Sequence, residues 1–139
     1  MCVFCAVIEG TAPAEVVYAD VATTVFLDNR PVFHGHCLVV PKDHYDTMDD
    51  LPDGLVAPLF ATVKRVAAGV QAALGADGTF IAVNNNVSQS VPHLHVHVVP
   101  RRFKDGLRGF FWPRSRYGAG EMAAIAQLIR EQLESAPAR

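Results

Sequence analysis

At 139 residues, with 50% hydrophobic and 19% charged residues, the chain has the size and composition of one globular domain, spanning residues 1–139. A formal net charge of −2 argues against sequence-independent binding to long nucleic acid. No apolar run approaches the roughly 20 residues needed to cross a bilayer, and no secretory signal or transit peptide is evident. We therefore expect a cytoplasmic protein without membrane or nucleic-acid partners, whose three cysteines are buried, reactive or metal-bound thiols.

The first half of the chain predicts three strands and a long helix. Residues 14–20 and 22–28 are rich in β-branched and aromatic residues and predict a hairpin. Residues 36–40 predict a third strand, closed by Pro41. From Asp53 to Leu74 apolar residues recur at three and four positions, which predicts the main helix, with Gly75 as its end. Pro58 allows a helix start nearer to that residue.

The second half predicts two more strands and a shorter helix. Residues 79–84 form the fourth predicted strand, and a loop over 85–92 leads to the fifth, over 93–99. Residues 121–133 predict an amphipathic helix. The expected fold class is therefore α+β: a mostly antiparallel five-stranded sheet with one long helix and a C-terminal helix.

The fifth strand is unusual because histidines alternate with apolar residues over 93–99. Side chains alternate between the faces of a strand, so His93, His95 and His97 would share one face while Leu94 and Val96 enter a core. A neutral imidazole can act as nucleophile, general base or metal ligand. The alternative is a half-buried strand whose solvent face happens to be rich in histidine.

Every position of residues 93–99 matches the signature of the histidine triad family, His-φ-His-φ-His-φ-φ with φ apolar. The chain resembles this family in further segments that follow in order, residues 28–31, 35–42, 88–92 and 100–101. The resemblance implies a nucleotide hydrolase or transferase that acts on phosphate-linked nucleotides through a covalent nucleotidyl-histidine intermediate. It also implies a purine nucleotide or nucleotide conjugate as ligand, and a homodimer.

The resemblance assigns roles to individual residues. His95 would attack the α-phosphorus, His97 would reach the phosphate or the leaving group, and His36 on the adjacent strand would support them. A carboxylate accepts two hydrogen bonds, which suits Asp28 to ribose hydroxyls. The remaining candidate nucleotide-binding residues are the polar donors Asn84, Gln89 and Ser90 and the apolar base-slot residues Phe4, Val7 and Phe26. Asp28 and Asn84 could instead merely end strands.

One loop near the triad departs from the family pattern, and the role of a second segment is not decided by the sequence. Residues 84–89 lack the glycines that many relatives carry before the glutamine, which leaves the phosphate contacts of that loop open. The aromatic and basic segment over 109–114 could pack against the site or a partner subunit, or be a loop anchored by aromatic burial. Half of all Lys and Arg residues lie within 101–116, which suits an anionic ligand or an ordinary solvated face.

A second motif, Cys2-x-x-Cys5, is spaced as the first half of a zinc site. Some histidine triad proteins complete this set with residues that correspond here to His44 and His93. Four protein ligands would make a closed, structural zinc site and would remove His93 from direct catalysis. The thiols could also be free, with His44 in a surface turn, while Cys37 is expected in the core.

Two other functions compete with catalysis at His95. The first is a zinc-stabilised interaction module that binds nucleotides without turnover. The second is a catalytic metal centre built from the triad, which is disfavoured because the strand has no nearby carboxylate and the cysteines offer a metal better ligands. The leaving group and the base preference stay open, since apolar walls discriminate poorly between purines.

Overall fold

The computed structural model describes residues 2–107 and 114–135, which form an α+β fold. Its helices are α1 (Val3–Glu9), α2 (Asp53–Leu74) and α3 (Glu121–Ser135), with a 3-10 turn at Met48–Asp50. Its strands are β1 (Val16–Ala19), β2 (Thr23–Leu27), β3 (Cys37–Pro41), β4 (Gly78–Ala82) and β5 (Val96–Arg101). The predicted fold class, a five-stranded antiparallel sheet with a long helix and a C-terminal helix, is confirmed.

The chain divides into two compact units, Met1–Phe103 and Lys104–Arg139. The first unit holds the sheet with α1 and α2, and the second holds α3, whose described apolar side chains are largely exposed. A single domain over residues 1–139 stays a prediction. The aromatic and basic segment over 109–114, for which packing roles were predicted, lies outside the described residues except for Arg114.

The sheet runs in the order β1-β2-β3-β5-β4, and every neighbouring pair is antiparallel. The histidine-bearing strand β5 therefore lies between β3 and β4. His97 stands opposite Leu38 of β3 and Ala82 of β4. Directly opposed residues share a face of the sheet, so His97 projects from the same face as Leu38.

The two faces of the sheet carry different apolar clusters. On one face Val39 and Val96 pack in a cluster with Leu59 and Val63 of α2. The opposite face carries Phe26, Leu38 and Val40, which cluster with Phe4 and Val7 of α1. Because α1 covers the same face from which His97 projects, this short helix forms one side of the histidine site.

The predicted strand over residues 93–99 is wrong in its first three residues. Hydrogen-bonded pairing begins at Val96, and residues 93–95 approach the sheet as an irregular segment. There the His93 N–H donates to the Val91 carbonyl (2.8 Å) and the Leu94 N–H donates to the Tyr45 carbonyl (2.7 Å). These amides are thus bonded to loop residues instead of a neighbouring strand.

Helix α1 was missing from the sequence prediction. Cys2 caps its N-terminus by accepting a hydrogen bond from the Cys5 N–H, and Gly10 ends it with φ of 81°. Seven residues are too few for a clear helical period, and an isolated helix of that length is unstable in water. Apolar residues at 3, 4, 7 and 8, followed by glycine, were the available signal.

Helix α2 matches its predicted bounds, with Pro58 inside it and Gly75 at its C-cap with φ of 61°. By length and composition alone it is apolar enough to cross a membrane, which differs from the expectation drawn from apolar runs. One such helix is weak evidence for a membrane span, because the core helices of globular proteins satisfy the same criterion. The absence of a membrane partner stays a prediction.

Candidate functional site

A cavity of about 820 Å³ opens on the histidine face of the sheet. His95 and His97 lie on its wall, together with Asp28 and Ser90. The cavity is also lined by the three predicted base-slot residues, Phe4, Val7 and Phe26. The structure therefore brings two predicted catalytic residues and five predicted nucleotide-binding residues to one space.

The hydrogen bonds of His95 define which ring nitrogen carries its proton. The ring is buried, and its Nδ1 lies 2.7 Å from the backbone carbonyl of His93. A carbonyl oxygen can only accept, so Nδ1 carries the proton in the neutral ring. Nε2 of His95 then keeps its lone pair, which is the form a nucleophile requires.

His36 and His97 form a relay that begins at the backbone. The Val32 N–H donates to Nδ1 of His36 (3.1 Å), so neutral His36 carries its proton on Nε2. That Nε2 lies 2.9 Å from Nδ1 of His97 and donates to it. Neutral His97 therefore holds its own proton on Nε2, where it can serve as a hydrogen-bond donor.

Both rings of the relay are neutral near pH 7. Burial, together with charge repulsion from the nearby His95 and His36 rings and against a smaller opposing effect of Asp28, lowers the pKa of His97 to about 4. Burial also lowers the pKa of His36, partly offset by the Asp28 carboxylate, whose Oδ2 lies 3.7 Å from Nε2 of His36.

Asp28, His36 and His97 also place three potential ligand atoms within 4.8 Å of one another. The hydrogen bond from Val32 argues against a metal there. It holds Nδ1 of His36 as an acceptor and leaves the proton on Nε2, which faces the other two groups. A metal at Nε2 would push that proton to Nδ1, against the Val32 N–H, so we interpret the trio as a hydrogen-bonded relay.

The depressed pKa of His97 predicts a loss of stability in acid. An unfolded histidine titrates near 6.5, so the unfolded chain binds this proton first as pH falls. The contribution of neutral His97 is complete above pH 6.5 and is lost as pH falls towards about 4. We expect the difference in free energy of unfolding between wild type and His97→Gln, measured with urea, to shrink between pH 7 and pH 4.5.

The exposed His34 supplies the control for that measurement. His34→Gln should leave the pH dependence of stability as it is in wild type. If the difference in free energy of unfolding between wild type and His97→Gln stays constant between pH 7 and pH 4.5, the buried neutral state of His97 is contradicted.

The four predicted metal ligands, Cys2, Cys5, His44 and His93, converge at the N-terminal end of α1. Their ligand atoms all lie within 4.8 Å of one another. Nδ1 of His93 is 3.5 Å from the Cys2 sulfur and 3.6 Å from the Cys5 sulfur, and Nδ1 of His44 is 3.4 Å from the Cys5 sulfur. Sulfur and nitrogen ligands of one tetrahedral zinc ion stand about 3.5 Å apart.

The outer hydrogen bonds of the two imidazoles leave the correct nitrogen free for a metal. His93 donates from Nε2 to the Pro41 carbonyl (2.9 Å), and His44 donates from Nε2 to Asp46 Oδ1 (2.7 Å). Both acceptors lack a proton, so each Nδ1 presents a lone pair to the sulfurs. Metal-bound histidines usually donate their other ring N–H to a carbonyl or carboxylate oxygen in this way. The cluster therefore fits a four-coordinate metal ion.

The loop over 84–90 is held by its own amide side chains. Asn84 Nδ2 donates to the Ser88 carbonyl (3.3 Å), and Gln89 Oε1 accepts from the Asn86 N–H (2.9 Å). Asn86 and Ser88 both adopt positive φ, 67° and 60°, where glycine is the least strained residue. Neither Asn84 nor Gln89 is among the described residues that line the cavity, so their predicted contact with phosphate stays a prediction.

Strain at Ser88 yields a testable stability effect. We expect Ser88→Gly to raise the free energy of unfolding by about 1 kcal/mol, because relief of the left-handed backbone outweighs the entropy that glycine adds to the unfolded chain. Urea denaturation at neutral pH measures the change. Ser115→Gly is the matched control, since Ser115 is exposed without a positive φ and should be destabilised slightly. An equal loss of stability in both variants would contradict the strain.

Sequence reasoning did not single out two residues that position these sites. Val32 acts through its backbone N–H, which every residue except proline carries, so no sequence signal could reveal it. Asp46 supports His44 from two positions away, and a carboxylate that close to a candidate ligand was a usable signal.

Comparison with protein-family models places this architecture and histidine geometry in a known class. Residues 9–104 match the HIT domain family, so the chain belongs to the HIT family. Over 108 residues it is 36% identical to an adenylylsulfatase, HINT3, of Arabidopsis thaliana, covering 76% of this chain and 55% of that protein. It is 29% identical to the adenosine 5′-monophosphoramidase hnt1 of Schizosaccharomyces pombe, covering 96% of this chain and 98% of that protein.

Solved structures agree with this assignment. A HIT family protein from Bacillus subtilis superposes with a TM-score of 0.88 at 32% identity, covering 97% of this chain and 99% of that one. A zinc-bound histidine triad family protein from Mycobacterium smegmatis superposes with a TM-score of 0.73 at 40% identity, covering 98% of this chain and 97% of that one. The fold is therefore that of the HIT proteins.

Proposed function

We propose that this protein is a nucleotide phosphohydrolase or nucleotidyl transferase that cleaves nucleotide conjugates at the α-phosphate, with His95 as the covalent nucleophile. The observation that carries the proposal is the bond from His95 Nδ1 to the His93 carbonyl, at the wall of a cavity that also holds Asp28 and Ser90. That bond leaves Nε2 as the unprotonated nitrogen of a buried ring. Two predicted partners of the nucleotide, one for ribose and one for phosphate, line the same cavity.

The proposed reaction has two displacements. The lone pair of His95 Nε2 attacks the α-phosphorus, the bond to the leaving group breaks, and a nucleotidyl-histidine forms. His97 donates a hydrogen bond from Nε2 to a phosphate oxygen or to the leaving group, which stabilises the developing charge. In the second displacement water attacks the same phosphorus and gives up a proton to solvent, the phosphorus–nitrogen bond breaks with its electron pair returning to His95 Nε2, and the nucleoside monophosphate departs.

For the substrate class we propose adenosine 5′-phosphate conjugates. Two relatives over the matched region are named an adenylylsulfatase and an adenosine 5′-monophosphoramidase. Both names describe an adenylyl group joined to a small leaving group. The base slot is apolar on the sides formed by Phe4, Val7 and Phe26, which suits a purine ring.

A product survey tests the proposed activity. The zinc-loaded protein is incubated with an adenosine phosphoramidate, adenylyl sulfate and a dinucleoside polyphosphate, and AMP release is followed by chromatography. We expect AMP from at least one conjugate, with kcat/KM ranking the leaving groups. Release of adenosine instead of AMP would place cleavage at the wrong bond, and no release from any of them would remove the hydrolase assignment.

We propose zinc as the structural metal of the four-residue cluster. The support is the Cys₂His₂ donor set, the ligand spacing near 3.5 Å, and a zinc-bound relative of the same fold. A bound zinc ion would fasten the start of α1 to the segments that carry His44 and His93. Four protein ligands leave no open position for water, so its contribution is structural.

We also propose a cytoplasmic homodimer without nucleic-acid or membrane partners. Reducing conditions would keep Cys2 and Cys5 as the thiols that the metal cluster needs. The exposed side of α2 is rich in small residues, which allow close packing against a second helix: Ala57, Ala61, Ala68, Gly69 and Ala72. Sedimentation at several concentrations would identify a dimer, and a monomer at all of them would contradict it.

A further inference from the structure

Two segments that belong to different sites are joined by reciprocal hydrogen bonds. The metal segment, residues 44–48, carries His44, and the phosphate loop, residues 84–90, carries Ser90. Gln89 Nε2 donates to the Asp46 carbonyl (2.6 Å). In the opposite direction, the Met48 N–H donates to Asn85 Oδ1 (2.8 Å). Each segment thus receives a hydrogen bond from an amide side chain or a backbone amide of the other.

Gln89 is the residue that connects the metal segment with the phosphate loop through both of its side-chain polar atoms. Its Nε2 reaches across to Asp46, while its Oε1 accepts from the Asn86 N–H of its own loop. The next residue, Ser90, lines the cavity, and Gln89 is not among the described lining residues. The side chain of the same Asp46 accepts from Nε2 of the proposed metal ligand His44 through Oδ1. Two hydrogen bonds, one to the side chain and one to the backbone carbonyl of Asp46, therefore lead from His44 to the residue before Ser90.

We propose that Gln89 is a positioning residue that couples the metal site to the phosphate-binding loop, so that metal occupancy and nucleotide affinity reinforce each other. The proposal rests on the proposed nucleotide site and adds a regulatory property to it. A metal that fixes His44 and Asp46 also fixes the acceptor of Gln89, which lowers the entropy cost of ordering the loop around a phosphate. By thermodynamic linkage, the nucleotide must then tighten metal binding by the same factor.

A second connection between the two sites runs through the backbone of His93, whose carbonyl accepts from His95. Substitution of Gln89 leaves this connection in place, so the two routes can be separated. Gln89→Glu keeps an acceptor for Asn86 but removes the donor to Asp46. Gln89→Ala removes both. Gln71→Ala is the matched control, because Gln71 also donates to a backbone carbonyl, that of Asp77, at the far end of α2.

The test measures the equilibrium zinc affinity of the full chain by competition with a chromophoric chelator, with and without saturating AMP. Calorimetry on the zinc-loaded proteins gives the affinity for AMP. We expect AMP to tighten zinc binding about five-fold or more in wild type and in Gln71→Ala, the lower end of ordinary coupling. In both Gln89 variants zinc binding without AMP should weaken about two-fold or more, and the effect of AMP should fall close to one-fold.

The outcomes separate this proposal from the proposed function. If AMP binds wild type but leaves zinc affinity unchanged, or if the Gln89 variants keep the wild-type factor, the coupling through Gln89 is overturned. If AMP does not bind wild type, the nucleotide site itself is overturned. In that case zinc binding alone tests the link between the metal segment and the phosphate loop. The link is supported if Gln89→Ala weakens zinc binding while Gln71→Ala does not, and it is overturned otherwise. Equal melting temperatures of Gln89→Ala and Gln71→Ala would show that a difference in zinc binding is not caused by a general loss of folding.

Discussion

We expect His95→Ala to abolish the proposed turnover of nucleotide conjugates while AMP still binds. Without the imidazole no nucleotidyl-histidine can form, and direct attack by water on the α-phosphorus is the slow reaction that covalent catalysis replaces. We expect kcat to fall by at least about 10³-fold, whereas the dissociation constant for AMP changes only a few-fold because Asp28, Ser90 and the apolar slot remain. Steady-state kinetics and calorimetry on the same preparation measure the two quantities.

His34→Ala is the control for that experiment, because His34 is exposed and does not line the cavity that holds His95. It should retain wild-type kcat. Unchanged hydrolysis in His95→Ala would remove the proposed nucleophile. Rapid acid-free quenching followed by mass spectrometry should also reveal an adenylyl adduct in the peptide containing His95. A protein that binds AMP but never forms this adduct would be the non-catalytic, zinc-stabilised binding module.

We expect Cys5→Ser to release the proposed zinc ion and to lower the melting temperature. Cys5 contacts both imidazoles of the cluster, Nδ1 of His44 at 3.4 Å and Nδ1 of His93 at 3.6 Å, so its loss disrupts the site at its centre. A ligand present at 1,000 times its dissociation constant contributes about 4 kcal/mol to stability. We therefore expect the melting temperature to fall by roughly 10 °C or more. Metal analysis and thermal unfolding with and without a chelator measure the effect.

The buried Cys37 provides the comparison for this variant. Cys37→Ala removes a core thiol from the sheet and should cost stability without changing the zinc content. The chelator should lower the melting temperature of Cys37→Ala as it does in wild type, and should have no effect on Cys5→Ser. Equal zinc content in wild type and Cys5→Ser would contradict the metal site.

Helix α2 and the strands were predictable because their hydrophobic patterns either repeat over several helical turns or are bounded by turn residues. Helix α2 repeats its apolar spacing over 22 residues and ends at a glycine. Strands β2 and β3 are short runs of β-branched and apolar residues bounded by turn residues. Helix α1 escaped prediction because its seven residues are stabilised by contacts from elsewhere, with Phe4 and Val7 packed on the sheet.

The candidate site also has a part that could be predicted from the sequence and a part that could not. His93, His95 and His97 and the Cys2-x-x-Cys5 pair carry their chemistry in residue type and spacing, so the resemblance located them. Their protonation states depend on backbone groups of other segments: the carbonyl of Pro41 and the N–H of Val32. No residue pattern encodes such partners. The irregular approach of residues 93–95 to β5 likewise depends on the carbonyl of Tyr45, a tertiary contact.

The acceptor that holds the proton on His95 is a main-chain oxygen, that of residue 93. Every amino acid carries this oxygen, so the tautomer of the proposed nucleophile does not depend on the side chain at that position. The imidazole of His93 contacts the two cysteines, and its carbonyl accepts from the ring of His95. These two contacts can therefore diverge in evolution: a chain that loses its cysteines and this histidine can still orient the ring at position 95, provided the backbone keeps its path from 93 to 95.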